Sequence, residues 1–209
     1  NMDLKAQAGT ASDGRLTEQT RPMADAIHSN RCESVNPFEY PRTAVLKRAW
    51  GWQGYHLAHG PNLGRMAFHE AGHVVLLEWL GIGAKLATAT QTGGVTHLPA
   101  MPTEPPTAPD PTGELTATGA AVFHAGVMAE LLHAGAKWAG PIFRPMTDDH
   151  RRAEAFLSPE FGSHSSGAHA FAQLLALHIL AERWHRVTHI AQCLIERGEW
   201  RPAEADSFS

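Results

Sequence analysis

Three features of the sequence predict a mainly helical domain with one small β-hairpin. Residues 63–80 run without proline, turn apolar in their second half (VVLLEWL at 74–80) and meet Gly81 and Gly83, as a helix buried within a domain should. Two more proline-free apolar stretches of helical length follow at 113–134 and 168–197. Against these stand two short β-like runs, KLATATQT at 85–92 and GVTHL at 94–98, turning near Gly93 and Gly94.

Residues 1–40 are polar and poor in aliphatic side chains, which reads as an N-terminal arm, partly disordered, ahead of a single domain over 41–205. The start of that domain is aromatic and broken, with Trp50, Trp52 and Tyr55 among Gly51, Gly54, Gly60 and Pro61, and is expected to pack as a lobe against the core. His56 and His59 within it read as packing or surface histidines. Six prolines between Pro99 and Pro111 require an extended loop, a lid or an insertion. The helix over 113–134 carries His124, Glu130 and His133, and the Gly-Pro segment 135–146 ends it. Thr147 reads as the N-cap of a short helix, Asp148 to Leu157, with both aspartates in its first turn. A Ser-rich loop over 162–167 and one long helix, Ala168 to Arg197, closed by Gly198, complete the domain.

Composition narrows the function. Seventeen basic and 21 acidic residues are scattered along the chain for a net charge of −4, without the basic stripe that a phosphate backbone demands, so nucleic acid is not an expected partner. Cys32 and Cys193 are too few and too far apart for a disulfide framework, and read as free thiols in a reducing compartment. With no signal-peptide pattern and no run of eighteen apolar residues, a soluble, cytoplasmic protein without a membrane segment is expected. The absence of a GxxxxGKS/T loop predicts no ATPase of its own.

The chemistry centres on HEAGH at 69–73. On a helix, His69 and His73 at i and i+4 share a face and can hold one tetrahedral ion, and N and O donors of this kind suit Zn²⁺. Glu70, about 100° further round, stands beside the ion, where it can take a proton from a water and return it to a departing amine. The plainer alternative is a buried helix with two satisfied histidines. His185 and His189 repeat the spacing without a glutamate and read as helix surface. A metzincin continuation is absent, since Leu76 and Trp79 occupy its Gly and His positions, and Glu78 is badly placed on the same helix. Glu130, His133, Asp148, Asp149 and His150 all remain candidates for the third ligand.

Several stretches, in order, resemble the peptidase domain of the FtsH-type ATP-dependent zinc metalloproteases: FHEAGHVV at 68–75, the strand ending near GVT at 94–96, AGVMAELL at 125–132, TDDHRRA at 147–153 and AQCLIERGEW at 191–200. The resemblance implies a helical, zincin-like peptidase domain with an edge strand beside the active-site helix. It implies zinc on His69, His73 and Asp149, with Glu70 as the base. Glu130 matches a family glutamate behind the ligands. Asp148 stands where the family has Asn, and a register shift of one would exchange the two aspartates. The edge strand at Gly94 and Val95 would take the substrate, a peptide or unfolded protein segment. The family's habits leave open a homo-oligomer or a separate unfoldase partner. A non-cleaving zinc-containing regulatory or adaptor module is the alternative reading.

Overall fold

The structure, a computed structural model, describes residues 42–53, 60–98 and 110–202. Among these residues six α-helices and three short strands follow in order: α1 (Arg42–Lys47), α2 (Leu63–Trp79), β1 (Leu86–Ala89), β2 (Gly94–His97), α3 (Glu114–His133), α4 (Asp148–Phe161), α5 (Ser165–Glu182), α6 (Trp184–Arg197) and β3 (Glu199–Trp200). The predicted N-terminal arm, Tyr55, His56, His59 and most of the proline-rich loop lie outside the described residues.

The central helix begins at Leu63 because Asn62, in an extended conformation, accepts a hydrogen bond from the Arg65 backbone N–H. It ends before the two glycines the sequence singled out, Gly81 and Gly83, both with positive φ. From Ala71 to Leu77 every residue is buried, because α3 covers one side of this helix and α6 another. Gly72 makes that packing close. A methyl group there would lie 2.5 Å from the Ala125 carbonyl oxygen and 2.8 Å from Ala129 Cβ, so α2 and α3 meet nearly backbone to backbone. Around this crossing Leu76, Met128, Leu131, Leu132, Leu174 and Leu180 are fully buried, each worth about 1.5–3 kcal/mol of transfer free energy.

Helix α3 is apolar on all sides and, by length and composition alone, could cross a membrane. Here 67% of that apolar window is buried, with α2, α4 and α5 packed around it.

The hairpin forms as read, pairing Leu86 with His97 and Ala89 with Gly94. It gains a third strand the sequence reading missed: Ala87 and Thr88 pair antiparallel with Trp200 and Glu199, giving the order β2-β1-β3 with β2 at an edge. The long helix expected over 168–197 is two helices that part at Arg183 (φ −103°, ψ 23°). The change in burial explains the joint, since α5 is buried on nearly every side whereas α6 buries only the stripe Val187, Ile190, Ala191 and Leu194. The expected loop 162–167 is a 3₁₀ turn, Gly162–His164, running into α5 at Ser165. Helix α4 continues past Leu157 to Phe161 with Pro159 inside it, tolerated because Ala155, whose carbonyl loses its helical partner, is exposed to water. The aromatic lobe docks through a parallel bridge between Gln53 and Ile142 and an edge-on contact of Trp50 with Trp138.

The crossing predicts opposite outcomes for one substitution at two sites on α2. Gly72→Ala forces the helices apart and costs about 1–3 kcal/mol, whereas Gly64→Ala, where a methyl meets only Asn62 Oδ1 at 3.4 Å, is neutral or stabilising by about 0.4–1 kcal/mol. Urea denaturation of the two variants measures this, and equal effects would contradict it.

Candidate metal centre

His69 and His73 leave α2 on the side facing α3 and α4. Their Nε2 atoms lie 3.2 Å apart, and Asp149 Oδ2 lies 3.0 Å from the first and 3.3 Å from the second. Tetrahedral donors at zinc's bond length of about 2.0–2.1 Å would be roughly 3.3 Å apart. The spacing of the triad is thus that of three ligands sharing one ion, and these residues can hold a metal.

Hydrogen bonds on the far side of each ring decide which nitrogen is free. His73 Nδ1 donates to the Val122 carbonyl at 2.8 Å, and His69 Nδ1 lies 2.7 Å from Glu130 Oε1, a carboxylate that can only accept. Each neutral ring therefore turns a bare Nε2 lone pair toward Asp149. Two lone pairs and a carboxylate oxygen converging on one point require a cation. That demand shows in His69: burial lowers its pKa, but hydrogen bonds to Asp149 and Glu130 outweigh it and raise the value to about 9. Asp149 is correspondingly held far below the ordinary carboxylate range; burial opposes this, and the two histidines prevail.

Thr147 caps α4 by accepting from the His150 backbone N–H, which fixes the first turn. Asp149 then faces the histidines, while the Asp148 carboxylate is 70% exposed and pairs with Arg151 on the surface. Geometry thus brings Asp149, the aspartate that the resemblance implied, to the histidines, and leaves Asp148 outside. The other candidates for third ligand go elsewhere. Glu130, 2% exposed, backs His69 and receives Arg65 Nη1 at 3.3 Å and Arg144 Nη1 at 3.5 Å. His133 stacks on Phe68 at 3.9 Å, and His150 stacks on His169 and meets Phe143 edge-on. Glu78 ties α2 to α6 through Arg186 at 2.7 Å, and His185 and His189 are exposed.

Glu70 is 5% exposed and sits beside the triad, with its Oε2 accepting from Thr96 Oγ1 at 2.7 Å. Gly94 makes this approach feasible, since a methyl group there would lie 2.5 Å from Glu70 Cγ. Val95 points away, 51% exposed. Gly126 plays a matching part under His69, whose ring occupies the place of its absent side chain. Thr96, Arg65 and Arg144 went unread because each acts through a carboxylate far away in sequence.

A second polar system was missed altogether. Gln173 Oε1 accepts from Trp138 Nε1 and the Ile142 N–H, so its amide nitrogen donates to the Ile142 carbonyl and toward His124 Nδ1. His124 must then carry its proton on Nε2, which donates to His169 Nδ1 at 2.9 Å, and His169 Nε2 donates to Glu154 at 2.7 Å. Every proton in this chain has one direction, and both histidines are neutral. Burial is the largest cause that lowers the pKa of each, strongly in His124, and it pushes His150 beside them down to about 4.

No protein-family model, curated protein or solved structure matches this chain.

Asp149→Ala should weaken metal affinity at least a hundredfold and Glu130→Gln by about 10–100-fold, while Asp148→Ala stays within twofold; competition with a chromogenic chelator reads all three. Because the ion must displace a proton from His69, apparent affinity should fall about tenfold per unit as pH drops below about 9. The lowered values of His124, His150 and His169 act on stability instead. Above pH about 6.5 folded and unfolded chains are alike in leaving them neutral. Below it only the unfolded chain takes up protons, and stability is lost as pH falls toward the His150 value of about 4. His69, with its raised value, adds its full contribution below about pH 6.5 and is constant there. The Tm of metal-free protein, followed by circular dichroism from pH 6 to 4.5, should therefore decline, and a flat profile would contradict the burial of these rings.

Proposed function

We propose that this chain is a zinc-dependent metallopeptidase that hydrolyses peptide bonds in peptides or unfolded protein segments. The observation that carries this reading is the placement of Glu70: an oriented carboxylate beside a triad able to hold an ion, against β2, which is an edge strand among the described residues. His69, His73 and Asp149 would hold the ion, and a fourth position is left to the reaction. Bound there, zinc lowers the pKa of a water to about 7 and polarises a carbonyl.

The chain's own residues do the rest. Thr96 Oγ1 engages Oε2 of Glu70, which leaves Oε1 to receive a proton and pass it to the leaving amine. Glu130, itself held by Arg65 and Arg144, keeps the His69 ring in the tautomer that presents Nε2. The outer backbone of β2 offers hydrogen bonds to an extended segment, and Gly94 lets β2 itself lie close to Glu70. An adaptor that only stores zinc for structure has no use for a carboxylate held in this position.

Cleavage of an unfolded protein such as reduced casein should be abolished by a chelator and restored by Zn²⁺. Glu70→Gln should lower the rate about 10²–10⁴-fold while binding a full equivalent of metal. Metal-loaded wild type that cuts no unfolded substrate would reject the peptidase reading in favour of the adaptor.

A further inference from the structure

Asp149 comes from the first turn of α4, and its carboxylate is 31% exposed, so its own packing does little to aim it. Of this helix His150, Ala153 and Leu157 are buried, one stripe along its length. His150 is therefore the buried side chain of the first turn, and it follows Asp149 directly in the chain. Whatever fixes the His150 ring fixes the rotation of that turn, and with it the direction of Asp149.

Other rings do the fixing. Phe143, from the connection between α3 and α4, meets His150 edge-on with centroids 4.5 Å apart, and His169 of α5 stacks on it at 5.2 Å. His169 is itself held at both nitrogens by His124 and Glu154. Trp52 closes the group, 6.0 Å from His150, 5.2 Å from His169 and 4.9 Å from Phe143, all within the range over which ring pairs attract. This tryptophan lies outside the helices, in the aromatic stretch ahead of α2. There the next residue, Gln53, gives its backbone N–H to the Pro141 carbonyl at 2.9 Å.

We propose that Trp52 is a positioning residue for the metal centre. By closing the rings around His150 it holds the first turn of α4 in the rotation that presents Asp149 to His69 and His73. Docking of the stretch at 50–53 and affinity for the ion are thereby coupled. Trp52 supplies no ligand atom, since its indole nitrogen can only donate, and it acts through His150 alone. Coupling of this kind is reciprocal, so an ion held by Asp149 tightens the docking of the aromatic stretch in turn. The inference rests on the metal-centre reading and not on peptide cleavage. A protein that binds the ion and cuts nothing leaves it standing.

The test uses the full chain and two readouts that need no substrate: zinc affinity by chelator competition, and the visible spectrum of the Co²⁺-loaded protein, which reports the ligand set and its geometry. Trp52→Ala should weaken zinc binding about tenfold and move the Co²⁺ spectrum toward that of Asp149→Ala. Trp52→Phe, which keeps a ring in the gap, should recover most of the affinity. Val187→Ala, in the buried stripe of α6, controls for stability: its Tm should fall while its affinity stays within about twofold of wild type. A Trp52→Ala protein with wild-type affinity and an unchanged Co²⁺ spectrum would overturn the proposal. If that variant does not fold, the milder Trp52→Leu decides in its place by the same two measurements. A loss of affinity in Val187→Ala as large as that in Trp52→Ala would also overturn it, since the effect would then be one of general stability. Wild type that takes up neither ion would remove the metal centre, and this role with it.

Discussion

The near-contact of α2 with α3 at Gly72 and Ala125 is the constraint on which the site depends. Neither histidine is aimed by its own helix alone. The His73 ring is set by the Val122 carbonyl and the His69 ring by Glu130, and both partners belong to α3. Moved an ångström outward, α3 would still bury its leucines but would lose both rings. The small residues, Gly72 in one helix and Ala125 and Gly126 in the other, are therefore as much a part of the candidate metal centre as the histidines. They set the distance over which a proton on Nδ1 can reach its acceptor.

The same protein treats its histidines in opposite ways, and the difference lies in what surrounds each ring. His69 lies between two carboxylates and is driven toward the charged form although it is buried. His124 is equally enclosed, but its neighbours are an amide and other imidazoles, so burial prevails and the ring stays neutral. One cluster gathers negative charge and attracts cations; the other is neutral, and the ring nitrogens of His124 and His169 are already engaged in hydrogen bonds. This explains why the described residues bring only His69, His73 and Asp149 together as a set able to hold an ion, although three more histidines gather within a few ångströms of one another.

What could be read in the sequence was what is local. The helix through HEAGH, its glycine stop, the Thr147 cap and the hairpin each depend on a few consecutive residues, and each is found where the pattern put it. The split at Arg183 escaped because no glycine or proline marks it, and only the change from all-round to one-sided burial does. Strand β3 escaped because two residues have no period. The path from Gln173 to Glu154 could not have been read from spacing, as its members come from three helices that meet only after folding. Asp149 is the intermediate case. A capped helix start was legible and the resemblance favoured Asp149, but excluding a register shift to Asp148 required the rotation of that helix against α2.

The edge of β2 carries one more consequence. A strand that offers its backbone to a passing chain offers it equally to another copy of itself, and open edges of this kind are where sheets join into aggregates. Here the exposed strand is only four residues long, and Pro99 follows two positions beyond its last residue. Two such edges could exchange few hydrogen bonds with each other. Pairing between two copies through this edge is thus limited to those few hydrogen bonds.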